Sequence, residues 1–376
     1  MIYLDYNSTH PPFRGIMETN LSRYFEEFGN PSGISHFSQK ASGEIEKSRE
    51  KLINLLNSHS SEALDIDGMH FVATGTEAVY QMVFSFSGKP SAILSPYEHE
   101  CMYAACEDAG QKIVLLKSDE TGRVSPESLK SAIETAGRAN VSFVSCITAS
   151  NETGVIQPVA ELSAICRENE IPFITDAIQA AGKMQFDPGL FDAFAMNGHK
   201  FGAGLGCACV FFKSSERIKS IFRGGLQENE NRAGTENLFA ILNFIDAYEF
   251  QLKSLDHKNT MLLDFRKDIE HMLLSRCGAV IAGEKSLRLA NTTFAVFPEM
   301  ENMDFLLIGL DQSSIAVSTG SSCKSRTRQP SQVLKRMGFS TEESLRALRI
   351  TTGIFTSRGQ IDEFCGLFPE IYSRAL

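Results

Sequence analysis

Met69-His70-Phe71-Val72-Ala73-Thr74-Gly75-Thr76-Glu77, followed by the apolar run from Ala78 to Phe86, sets the architecture. A short strand gives way to a glycine turn and then to a helix. This step aims backbone N–H groups and the positive end of a helix dipole at one point, which suits a phosphate. Thr76 adds a hydroxyl there. An ordinary helix N-cap, which threonine also favours, accounts for the same residues.

The pattern repeats outward. Strands are expected at 91–95, 112–116, 141–148, 171–175 and 207–212. Between them, helices are expected at 101–110, from Ser125-Pro126 onward, and at 159–169. Polar residues gather just after the strand ends. Such alternation predicts a mostly parallel α/β sheet that binds its ligand outside the strands' carboxyl ends. Upstream, Ala41, Ile45, Leu52, Leu55 and Leu56 mark an amphipathic helix over 36–57, behind an extended segment that ends at Pro11-Pro12. Beyond 212 come polar loops around Arg223-Gly224-Gly225 and Arg232-Ala233-Gly234-Thr235. One long helix is expected from Leu238 to about residue 277, linking two domains, with a mixed α+β layer after it.

Composition narrows the function classes. The 376 residues allow two or three domains. A net charge of −10 without a Lys/Arg block argues against nucleic-acid binding. No apolar run is long enough to span a bilayer, and Met1 to Tyr6 lacks the pattern of a secretion signal. The nine cysteines are scattered, which points to free thiols in a reducing cytoplasm rather than to disulfides or zinc.

Asn197-Gly198-His199-Lys200-Phe201-Gly202-Ala203-Gly204 places a lysine in a glycine-rich loop between two strand-like runs. Glycine lets backbone approach a ligand closely. The octet reads either as a solvated loop lysine or as a lysine that forms a Schiff base with a carbonyl cofactor.

Several motifs in a fixed order carry a family resemblance. They are Tyr3-Leu4-Asp5-Tyr6-Asn7-Ser8-Thr9, Glu98-His99, Asn151-Glu152-Thr153-Gly154, Asp176-Ala177-Ile178-Gln179, Gly198-His199-Lys200, Arg232-Ala233-Gly234-Thr235 and Ser318-Thr319-Gly320-Ser321-Ser322-Cys323. Together they resemble the cysteine desulfurases among the class V, fold-type I pyridoxal-phosphate enzymes. The resemblance implies a large domain, residues 15–245, with a mostly parallel seven-stranded sheet flanked by helices. A smaller α+β domain, residues 1–14 and 246–376, would carry the Cys323 loop and Arg349.

It also implies roles. Lys200 resembles the Schiff-base lysine, and Asp176 the carboxylate that pairs with the pyridine nitrogen of pyridoxal 5'-phosphate. Gln179 and Asn151 resemble contacts near the cofactor's phenolic oxygen, Asn151 also lying near the substrate carboxylate. His99 resembles the ring-stacking histidine that shuttles protons. Gly75, Thr76 and His199 resemble phosphate contacts, and Asn197 stands where relatives carry serine or threonine near the phosphate. Thr235 resembles a phosphate contact from the neighbouring subunit, implying a homodimer with shared active sites. Arg349 resembles the arginine that grips the carboxylate of L-cysteine, a task suited to its planar fork. Cys323 lies in a polar, small-residue stretch beside Lys324 and Arg326, whose charges favour a thiolate. It resembles the cysteine that takes sulfur as a persulfide, for an iron–sulfur scaffold or another sulfur acceptor.

Three other readings compete. A selenocysteine lyase or an aminotransferase of the same family would not need Cys323. A non-catalytic relative acting as a partner protein would lack Lys200 or Asp176, and both are present. A nicotinamide dehydrogenase would need Gly-x-Gly-x-x-Gly after the first strand, and none is there.

Overall fold

A computed structural model describes residues 1–320 and 329–376. Its centre is a seven-stranded sheet. In spatial order the strands are Met69–Val72, Ala208–Phe212, Ala193–Asn197, Phe173–Asp176, Val141–Ser145, Ser91–Leu94 and Lys112–Leu115. Ala208–Phe212 runs antiparallel to both neighbours, and the other pairs are parallel. The sheet is therefore mainly parallel, as the alternation predicts.

Every residue of Val141–Ser145, Ala193–Asn197 and Ala208–Phe212 is buried. Near-continuous burial is what a sheet covered on both faces requires. Ile45, Leu52, Leu129, Leu162 and Ile241 pack from helices into one apolar cluster, and Val79, Met82 and Met102 into another. Val79, Met82 and Val83 are fully buried. Each contributes roughly 1.5–3 kcal/mol to holding helix Gly75–Phe86 on the sheet. That helix starts at Thr74, whose hydroxyl accepts from the Glu77 amide at 3.1 Å. Its first turn is thus fixed at the end of strand Met69–Val72.

Two elements depart from the expectation. Arg14–Glu27 is a helix where none was expected, and among its residues only Asn20 is buried. The long helix is two, Leu238–Lys253 and Leu255–Cys277. Ser254 leaves helical geometry between them, and its hydroxyl donates to the Phe250 carbonyl at 3.0 Å, satisfying a helix end.

A second, antiparallel sheet orders Ala347–Thr351, Thr292–Val296 and Val280–Ile281. Helices Leu255–Cys277 and Arg358–Ala375 share an apolar cluster with it, as do Ile2 and Leu4. Ile2–Tyr3 pairs in parallel with Ile315–Ala316. The Thr351 amide donates to the Leu4 carbonyl at 2.8 Å, and the His10 amide to the His199 carbonyl at 2.9 Å. Residues 5–9 therefore bridge from the second sheet to the Lys200 turn.

Candidate active site

A cavity of about 530 Å³ opens at the carboxyl ends of the central strands. Gly75, Thr76, His99, Asn151, Asp176, Gln179, Asn197, His199, Lys200 and Arg349 all line it. Thr235 does not. It lines a separate cleft with Glu77, Arg223 and Arg232. Cys323 lies outside the described residues, but Gln329 and Pro330 line the cavity.

Lys200 ends the short turn Gly198–Lys200 that follows strand Ala193–Asn197. Its Nζ donates to the carbonyls of Asn7 at 2.9 Å and Ser8 at 2.8 Å. Gly202, two residues on, has φ +96°, and a Cβ there would lie 2.5 Å from the Phe13 ring. The loop glycine thus lets the backbone pass close to Phe13 in a left-handed conformation. The Asn7 carbonyl also accepts from Gln179 Nε2 at 3.0 Å. The Asn7 side chain accepts from Lys183 Nζ at 2.8 Å and Asn291 Nδ2 at 3.1 Å, and donates to Thr292 Oγ1 at 3.0 Å. Lys183 Nζ donates in addition to Gln179 Oε1. One buried network therefore sets both Lys200 and Gln179.

Asp176 closes strand Phe173–Asp176 and is buried, with Oδ1 accepting from the Ile178 amide at 2.8 Å. Burial pushes its carboxyl pKa up, against the opposing pull of His99 and Lys200. His99 caps helix Glu100–Asp108, its Nδ1 accepting from the Cys101 amide at 3.2 Å. A ring nitrogen that accepts carries no proton, so the His99 proton sits on Nε2. Cys101 Sγ lies 3.1 Å from the same Nδ1. Glu98, beside His99, is buried at the cavity wall. Burial and the Asp176 charge push its carboxyl up to about 8. Its Oε1 accepts from the Ile147 amide at 2.7 Å, while Oε2 has no hydrogen-bond partner among the described residues.

The other end of the cavity is built for an anion. The Gly75 and Thr76 amides donate to no acceptor among the described residues. A Cβ on Gly75 would lie 2.5 Å from Ile178 Cδ1 and 3.0 Å from Asn197 Nδ2. His199 Nδ1 lies 2.8 Å from Asn197 Oδ1. Burial, then the charges of Lys200 and Lys183, push His199 down to about 4.

Arg349 projects from strand Ala347–Thr351 and is 1% exposed. Its Nη1 donates to the carbonyls of Asn151 at 3.0 Å and Gly320 at 2.9 Å. Its Nη2 donates to Asp5 Oδ1 at 2.9 Å and Ser8 Oγ at 2.7 Å. The guanidinium is thereby locked in one plane at the cavity wall.

The family model for class-V aminotransferases matches residues 2–364. The chain belongs to the aminotransferase class-V family. Cysteine desulfurase IscS of Methanosarcina thermophila is 31% identical over 383 residues, covering 99% of this chain and 92% of that protein. Cysteine desulfurase NifS of Azotobacter vinelandii is 29% identical over 384 residues, covering 99% and 93%. The solved NifS-like protein from Rickettsia africae shares 28% identity with a TM-score of 0.89, each chain 99% covered.

This class-V chain brings in residues to which the sequence reading gave no role. Asn7, Ser8, Glu98, Cys101 and Glu152 line the cavity, and Lys183 supports it from behind. Asn7 and Glu98 stand inside recognised motifs, which was the available signal. Nothing local in the sequence marks Cys101, which reaches the cavity only because His99 caps its helix.

Proposed function

We propose that this chain is a pyridoxal 5'-phosphate-dependent cysteine desulfurase, converting L-cysteine to L-alanine and leaving the sulfur as a persulfide on Cys323. One observation carries the choice within the family. The described residues on either side of the Cys323 segment sit at the cavity: Arg349 holds the Gly320 carbonyl, and Gln329 and Pro330 line the wall.

The residues fit the cofactor. The free amides of Gly75 and Thr76 at a helix start, with Asn197 and His199, offer a phosphate cradle that a Gly75 side chain would fill. Asp176 is a buried carboxylate suited to a protonated ring nitrogen, Gln179 and Asn151 suit a phenolic oxygen, and His99 suits the ring face. When bound, pyridoxal phosphate supplies a carbonyl for the substrate amine and a ring that accepts the electron pair released at Cα.

The chain's own groups do the rest. Arg349 orients the L-cysteine carboxylate by exchanging a protein acceptor for it, since all four of its terminal N–H groups are engaged. Lys200 takes the Cα proton, a step that needs its amine neutral. His99 Nε2 holds a proton on the cavity side. The Cys323 thiolate attacks the substrate Sγ. The Cβ–Sγ bond breaks, an S–S bond forms on Cys323, Cβ gains a proton to become the alanine methyl, and Cα regains the proton that Lys200 removed.

In this reading Lys200 and Asp176 come from the large domain, residues 15–245. Asn7 and Arg349 come from the small one, residues 1–14 and 246–376. Thr235, turned away from its own cavity, would complete the phosphate site of a second copy in a homodimer. Exposed Phe25, Phe28 and Ile34 support such a partner. The persulfide would pass to an iron–sulfur scaffold or another acceptor protein in the cytoplasm. Among the described residues no helix is long and apolar enough to cross a membrane.

The test measures alanine and sulfide from L-cysteine in wild type, Cys323→Ala and Lys200→Ala. Both variants are expected to lose both products. A Cys323→Ala variant that still forms sulfide at the wild-type rate would point to the lyase or aminotransferase alternative.

A further inference from the structure

A small chamber shares Lys200 with the main cavity. Its volume is about 20 Å³, more than the roughly 10–15 Å³ that a water-sized guest needs. Lys183, Lys200, Lys258, His10 and Thr352 contribute to its wall, and no aspartate or glutamate does among the described residues. Lys183, Lys258, His10 and Thr352 are each more than nine-tenths buried.

Two independent features call for a guest. Thr352 Oγ1 is buried with no hydrogen-bond partner among the described residues, a state proteins rarely leave unresolved. The lysine donors are also in surplus. A charged lysine carries three N–H groups. Lys183 uses two, toward Asn7 Oδ1 and Gln179 Oε1, and Lys258 uses two, toward Gly182 O and Gln251 Oε1. Each has one left. His10 contributes no donor: its Nδ1 sits 2.6 Å from the Pro11 carbonyl, and its Nε2 faces Gln251 Nε2 at 3.2 Å.

The electrostatics agree. Burial pushes the Lys183 ammonium far down, and Lys200, Arg349 and Lys258 add repulsion that only Asp5 opposes. Burial lowers Lys258 to about 8. No carboxylate among the described residues lines the chamber to balance these ammonium groups.

We propose that this chamber binds one halide-sized monoanion, chloride under ordinary conditions, held by the ammonium groups of Lys183 and Lys258 and the hydroxyl of Thr352. The anion restores charge balance and takes the surplus donors at once. A water between neutral lysines is the competing occupant, and the two scatter and titrate differently.

The experiment uses bromide as the probe on the cofactor-loaded protein. Crystals grown in sodium bromide are expected to show one anomalous bromine peak in the chamber, lost or much weakened in Thr352→Val. In solution, replacing chloride by gluconate at fixed ionic strength is expected to lower the wild-type Tm by roughly 2 °C when chloride had been tenfold above its Kd. The Thr352→Val variant is expected not to respond. A wild-type chamber without a bromine peak overturns the proposal, as does a Tm indifferent to the halide. A peak undiminished in Thr352→Val removes the hydroxyl from the site. The wild-type arms require no variant to fold.

Discussion

The Nζ atom of Lys200 lies 2.9 Å from the backbone oxygen of Asn7. That oxygen also accepts from Gln179, while the Asn7 side chain ties in Lys183, Asn291 and Thr292. Asn7→Ala keeps the carbonyl but strands these buried partners. Unsatisfied buried groups cost about 1–3 kcal/mol each, with partial relaxation among neighbours. A stability loss of roughly 2–4 kcal/mol by urea denaturation is expected, with lower kcat/KM as Lys200 loses its fixed aim. An unchanged urea midpoint and unchanged kcat/KM would show that the network does not position Lys200.

Gly75 leaves room where a methyl group would meet Ile178 and Asn197. Gly75→Ala is expected to weaken pyridoxal phosphate binding by about tenfold or more, since overpacking of this kind costs about 1–3 kcal/mol. Equilibrium dialysis of the cofactor checks it. Unaltered affinity would place the phosphate elsewhere.

Arg349 spends its two terminal nitrogens on Asn151, Gly320, Asp5 and Ser8. A lysine there keeps the charge but has neither the plane nor the reach for four acceptors. Arg349→Lys is expected to raise KM for L-cysteine by about tenfold or more, the loss of one charge-assisted bond being worth about 1.5–3 kcal/mol. Steady-state kinetics decide, and an unchanged KM would remove the carboxylate-binding role.

Glu98 supplies a pH signature. In the unfolded chain its carboxyl ionises near the ordinary value of 4.5, and in the folded protein near 8. Between these values the folded state keeps a proton that the unfolded state has released. Glu98 therefore erodes stability as pH rises through that window, and the effect levels off above about 8. Glu98→Gln removes the titration. Its stability relative to wild type is expected to climb from pH 4.5 to 8, by at most on the order of 5 kcal/mol. Denaturation at several pH values measures it. A difference that stays flat across the window would mean Glu98 is ionised in the fold.

Much of this was legible in the sequence because the strands are short, apolar and punctuated. Asp176 could be placed at a strand end from the sequence, whereas His99, expected there too, lies five residues beyond the end of strand Ser91–Leu94, as the cap of helix Glu100–Asp108. Helix Arg14–Glu27 was missed although Met17, Leu21, Tyr24 and Phe25 keep helical spacing; Phe13 provides no side-chain cap to announce its start, and Leu21, Tyr24 and Phe25 face outward. The break at Ser254 has neither glycine nor proline to announce it, and the expected boundary after residue 245 falls inside helix Leu238–Lys253. The Asn7 hub could not be seen either. Its partners at 183, 200 and 292 meet only where residues 5–9 cross from one sheet to the other.

The most direct measurement incubates the cofactor-loaded protein with L-cysteine, without reductant, and follows free alanine alongside the mass of the Cys323 peptide. The account predicts one alanine released for each sulfur atom gained on Cys323, and neither in Lys200→Ala. Alanine formed without added mass on Cys323, or sulfur found on another cysteine in the first turnover, would contradict it.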